Sequence, residues 1–226
     1  MSIYAWLGET PSAFELRLRA NTVMFASPYS TDTQTLDLQG ERWVGMFSLP
    51  PAITQRQVRQ REAFFDRFKG TSHQVEIWHF AAPQPLGTIG ATAPVSWTGA
   101  PGTVAWTDGS GGPVAWTDGT PVVVAAVAQF ANTALLQVLP GATVLAGDML
   151  GLAGQTVRVM ADATADSAGR VTVEFQPRAR RSWAAYSPVV TDRPRITVML
   201  KDGGVPTTWQ PGRVADGCSV EFVEVP

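Results

Sequence analysis

Few side chains in this 226-residue chain stand where they could do chemistry together. His73 and His79 are the two histidines, six residues apart at either end of one predicted strand. An even separation puts them on the same face. A metal or general-base role also needs a third ligand or an orienting group. The flanking residues supply none, so both read as surface or interface imidazoles. Cys218 is the single cysteine, which rules out an intramolecular disulfide. With no His or Lys beside it, it reads as a buried, inert thiol. Asp148, Asp162 and Asp166 lack the alternating oxygen ligands and closing Glu of a calcium loop, so they read as turn residues. Paired carboxylates for glycoside hydrolysis come from distant strands, and nothing here singles out a pair. Gly-x-Ser-x-Gly, His-Glu-x-x-His and phosphate-loop motifs are all missing. The expectation is a protein that is not an enzyme and takes no metal or cofactor.

Two clusters suggest binding instead. Arg178, Arg180 and Arg181, with Trp183, could meet a phosphate and a stacked base. The net charge of −2 favours a solvated turn or a salt-bridged subunit contact. Trp97, Trp106 and Trp116 lie in a Gly-rich stretch where Val-Ala-Trp-Thr-Asp-Gly occurs twice, ten residues apart. Three indoles could stack on sugar rings, which would make a carbohydrate-binding module. Packing of the loop, or anchoring of a protein contact where Trp is enriched, is preferred.

The elements that would position these residues read as mostly β. Apolar Phe14, Leu16 and Leu18 alternate with Glu15, Arg17 and Arg19 across 13–19, the period of a half-buried strand. Strands follow over 22–26, 34–38 and 42–49, with 27–32 as a loop. In the last strand either Trp43 and Phe47 or Val44 and Met46 take the core side, and Gly45 invites a bulge. After Pro50-Pro51 comes one helix, about 54–69. Thr54 and Gln57 suit a capping box, and Val58, Phe65 and Phe68 form a stripe with Phe64 beside it. Arg56, Arg59, Arg61 and Glu62 are its wet side, and Gly70 its stop. Further strands are predicted over 75–80, 122–130, 134–139, 156–160, 170–175, 195–201 and 219–225, with another within 146–155. Residues 1–90 thus form a first β part with the helix, 91–121 an insertion, and 122–226 a second β-rich part that completes a sandwich or forms a small barrel.

Charged residues make up 16% of the chain, against about 25% in average proteins. A surface so short of charge suits a subunit covered by copies of itself. No basic region followed by an apolar stretch opens the chain, so no signal peptide is expected. The longest apolar run, 122–130, is about half of what a membrane span needs. A protein made in a cytoplasm, with no membrane partner, is expected.

The order of these words resembles a family. Glu41-Arg42-Trp43-Val44-Gly45-Met46-Phe47-Ser48-Leu49-Pro50-Pro51 runs into the helix ending at Phe68-Lys69-Gly70. Later come Ala146-Gly147-Asp148, Val157-Arg158-Val159, the acidic turn 161–169, and Val171 to Phe175 with Gln176-Pro177. This layout is similar to the distal tail proteins of siphophages and prophages, over most of 1–90 and 140–226. The Trp-rich insertion lies outside the pattern. The resemblance implies a tail-tube-like β-sandwich braced by the helix, and a ring of six copies. It implies a tail-tube protein above the ring, tip proteins below, and DNA passing through the lumen without specific binding. The location implied is the virion, at the tail tip. Strands 13–19 and 42–49 would join neighbours. Trp43, Phe47, the three loop tryptophans and the three arginines are the candidate interface or anchor residues.

Overall fold

The computed structural model describes residues 2–26, 33–69, 71–90, 120–201, 209–210 and 214–225. The fold is mainly β, with one α-helix among the described residues. The first part of the chain gives β1 (Ile3–Ala5), β2 (Ala13–Arg19), β3 (Thr22–Ala26), β4 (Thr33–Asp37) and β5 (Arg42–Leu49). Then come α1 (Gln55–Asp66), β6 (Gln74–Ile77) and a short 3-10 turn at Thr88–Gly90. Beyond the Trp-rich stretch are β7 (Val122–Val123), β8 (Thr133–Gln137), β9 (Thr143–Val144), β10 (Met149–Leu152), β11 (Gln155–Val159) and β12 (Ala163–Thr164). The chain ends with β13 (Arg170–Gln176), β14 (Val189–Val190), β15 (Ile196–Leu200), β16 (Trp209–Gln210), β17 (Val214–Ala215) and β18 (Cys218–Glu224).

Two six-stranded sheets carry the architecture, in the orders β1-β6-β15-β18-β5-β2 and β14-β10-β11-β13-β8-β7. The division at 90 and 122 does not follow sheet membership. β15 and β18, from the far end of the chain, fill the centre of the sheet that the first 77 residues begin. Without them β1-β6 and β5-β2 would be two separate pairs, each too small to hold a core. The sheet β7–β14 encloses its own apolar cluster, including Leu136, Leu150, Val157, Phe175 and Trp183.

The alternation over 13–19 appears as β2, which pairs with β5 along its whole length. Phe14, Leu16 and Leu18 face inward and Glu15, Arg17 and Arg19 outward. In β5 the choice falls on Trp43 and Phe47, both fully buried, while Val44 and Met46 face out. Gly45 makes no bulge: it stays in register between Leu16 and Phe222. An added Cβ there would sit 2.0 Å from the Glu15 carbonyl oxygen and 2.7 Å from the Phe222 ring, so only glycine fits.

The helix carries the expected cap. Gln57 N–H donates to the Thr54 hydroxyl, and the Gln57 side chain accepts from the Thr54 backbone. Phe64, Phe65 and Phe68 pack with Trp6 into the first sheet's core. Arg61 corrects the reading of the wet side, because it is buried. It donates from Nε and Nη2 to Glu9 and from Nη1 to the Pro50 carbonyl. The segments around Glu9 and Pro50 cover that helical position, which helical periodicity alone cannot register. Gly70 lies outside the described residues, as do 27–32.

The strand predicted over 122–130 is another correction. Only Val122 and Val123 join a sheet, and Val127 makes a lone bridge to Trp183. In this run only Val123 and Val127 are buried, and Ala125, Ala126 and 128–130 are exposed, so the apolar composition does not mark a continuous strand.

Candidate functional site

Two places gather polar side chains around the two sheets. The first is the seam where the sheets meet. Trp43 donates from Nε1 to the Thr156 carbonyl at 3.0 Å, and its ring lies under Arg158, whose guanidinium carbon is 5.0 Å from the ring centroid. Glu224, with a side chain 5% exposed, accepts the Trp43 backbone N–H at 2.9 Å. Arg180 grips the same carboxylate with Nη1 at 2.7 Å and with Nη2, and also reaches the Glu41 carbonyl. Arg178 pairs with Asp37 at 3.3 Å and donates its backbone N–H to Glu41. Thr156 closes the seam by donating to the Arg195 carbonyl at 2.6 Å. A buried pair is sound only when both ions keep their hydrogen bonds, and here Glu224 is held from two sides.

The arginine run therefore disperses. Arg180 ties the second sheet to the first within one chain, Arg178 holds the β3–β4 hairpin and Glu41, and Arg181 donates to the Ala153 carbonyl. Trp43 and Phe47 anchor this chain's own core, being sealed from any neighbour. Trp97, Trp106 and Trp116 lie outside the described residues. Trp183 is buried and stacks on Phe175 at 5.3 Å. It is not free to stack a base.

Glu224 and Glu9 are absent from the reading of the sequence, and Glu41 enters it only as the start of the stretch 41–51. Glu224 had a signal: it shares the inward register of Val220 and Phe222. A carboxylate in the apolar phase of an alternating strand calls for a buried partner. Glu9 and Arg61, 52 residues apart, had none.

The histidines and acids do not gather but sit at separate positions in the fold. His73 Nδ1 accepts from the Ser2 N–H, and the ring meets Tyr4 edge-on. His79 packs edge-on against Phe14, and its Nδ1 accepts from the Ala82 N–H at 2.9 Å. Burial, and then the nearby charge of Arg158, push its pKa below the usual imidazole value. Burial raises the Cys218 thiol. Asp148 accepts from Leu86, Gly87 and Leu145 N–H groups, Asp162 from Ala146, and Asp166 from Ala168 and Arg170. Asp166 builds its own turn, whereas Asp162 reaches back to Ala146 and Asp148 joins the turn at Leu145 to the distant segment at Leu86 and Gly87. Among the described residues no group of three or more His, Cys, Asp or Glu is placed to hold a metal ion.

The second place is the outer face of the first sheet. β5 is paired on both sides, by β18 and β2, so it has no edge to offer a neighbour. β2 has no second strand partner among the described residues. The ribbon of β2 and β5 continues as the β3–β4 hairpin, with two extra residues on the return side between Asp37 and Arg42. Every residue of β3 and β4 is exposed. Val23 stands opposite Leu36, with Phe25 on the same face, while Thr22 and Asp37 lie on the other. Asp37 reaches Arg178, so the apolar face looks away from the second sheet. Phe25 is 56% exposed and Leu36 51%. At the root of the ribbon is a shallow cavity of about 550 Å³, lined among others by Glu15, Arg17, Met46, Lys201 and Glu221.

These features define a mainly β protein of two interlocked sheets, with an amphipathic ribbon projecting from the edge of one. No protein-family model matches the chain, and no curated protein matches it. Among the described residues no helix is long and apolar enough to cross a membrane.

Proposed function

We propose that this chain is a structural subunit of a long-tailed phage or prophage, of the distal tail type, forming a ring of six between the tail tube and the tip. The observation that carries this reading is the projecting ribbon. Among the described residues it has a strand edge without a partner and an apolar face without a cover, surfaces that a free monomer blunts with charge, proline or a covering element. The layout of the sequence and its scarcity of charge support the same reading. β2 would meet a neighbour through its edge, while β5 serves only inside the subunit. In this reading DNA crosses the lumen without specific contacts, and the ring belongs to the virion after synthesis in the bacterial cytoplasm. The function is assembly, with no catalytic step. Light scattering behind a sizing column tests it. Six copies of 24.2 kDa give about 145 kDa. A monomer at all concentrations, with binding to a glycan array, would overturn it in favour of a carbohydrate-binding module.

A further inference from the structure

At the root of the projecting hairpin, Arg19 of β2 stands directly opposite Arg42 of β5. Like charges in that position repel and cost stability. Both side chains are exposed, and neither has an acidic partner among the described residues. They border a cavity of about 370 Å³ with Asn21, Thr22, Gly40 and Val223. Apolar Val44 and Val223 flank them on the sheet side. Such a surface fits a carboxylate set beside an apolar group. It fits a nucleic-acid backbone poorly, because Glu15 and Glu221 line the adjoining cavity and phosphate tracking needs an unbroken run of cations.

The chain carries the complement on its other sheet. Glu174 is exposed on β13 and has no cation or N–H partner on its carboxylate among the described residues. Met160 stands beside it across the ladder, donating its N–H to the Glu174 carbonyl, and is exposed too. Asp66 is the other such carboxylate, but Arg67 and Lys69 follow it closely. We propose that the Arg19–Arg42 face is a docking site for a second copy of this chain, which presents Glu174 and Met160 to it. The inference rests on the ring-forming reading and names the surfaces involved. The two patches differ, so copies add head to tail, the arrangement that closes a ring.

The test is charge reversal, read as the concentration at which half the chain is assembled by light scattering. Arg42→Glu and Glu174→Arg should each raise that concentration by ~10-fold or more. The double variant Arg42→Glu/Glu174→Arg should restore it to within ~3-fold of the original chain. Melting by circular dichroism checks folding, and Arg19→Glu carries the same test should Arg42→Glu unfold. Single variants that assemble like the original chain overturn the docking site and leave the ring standing. So does a double variant no better than the worse single. A short DNA duplex bound by the original chain and lost in Arg42→Glu, with assembly unchanged, also overturns it and assigns the pair to phosphate. A chain that never assembles overturns the ring reading itself, and the docking site with it.

Discussion

Replacing Glu224 by Gln removes one charge from the seam while keeping its shape. The carboxylate accepts three charge-assisted or backbone bonds, two from Arg180 and one from Trp43 N–H. Its side chain is 5% exposed and that of Arg180 25%, so solvent screening is slight. Breaking a buried pair by removing one partner costs about 3–5 kcal/mol. An amide oxygen still accepts one bond, which brings the expected loss to about 2–3 kcal/mol. In a domain this size each kcal/mol moves Tm by about 2–4 °C, so a drop of roughly 5–10 °C is expected. Calorimetry on the original chain and on Glu224→Gln reads it, with Lys201→Ala as the control. Lys201 and Glu221 form an exposed, solvent-screened pair whose loss should barely move Tm. A Glu224→Gln shift no larger than that of Lys201→Ala would refute the claim that this pair locks the two sheets together.

Three further outcomes follow from particular contacts. Gly45→Ala pushes a methyl group into the Glu15 carbonyl and the Phe222 ring. It should cost about 3 kcal/mol or more, or prevent folding, as denaturant melting would reveal. Thr54→Ala removes the acceptor of the helix cap and should cost about 1 kcal/mol in the same assay. His79 has a folded-state pKa below its unfolded value, by burial first and Arg158 second. In that window the unfolded chain binds the extra proton. The contribution of His79 to stability is therefore fully present above about pH 6.5 and is lost as pH falls toward the folded-state value. His79→Asn, which keeps an acceptor for the Ala82 N–H, should flatten the pH dependence of Tm below pH 6.5; an unchanged slope would contradict this.

Local patterns announced themselves in the sequence, and distant partnerships did not. The alternation over 13–19 and 170–175 and the capping box at Thr54 each depend on neighbours a few residues away, and each appears where expected. The placement of β15 and β18 between β6 and β5 depends on pairings across more than a hundred residues. No short window encodes those. Arg61 looked wet because helical periodicity is blind to the Glu9 segment laid over it. Arg178, Arg180 and Arg181 looked like one cluster because they are adjacent in sequence. In the fold they point to Asp37, Glu224 and the Ala153 carbonyl. The candidate interface was half legible. Val23, Phe25, Leu36 and Leu38 alternate as a sheet face should. That no described residue covers them is a property of the fold alone.

The claim that this chain builds a ring is tested most directly by negative-stain images of the assembled fraction. The expected result is end-on views with six equal lobes around an open centre, in a particle of about 145 kDa. Solid particles without a hole, or 24.2 kDa monomers at every concentration, would contradict it.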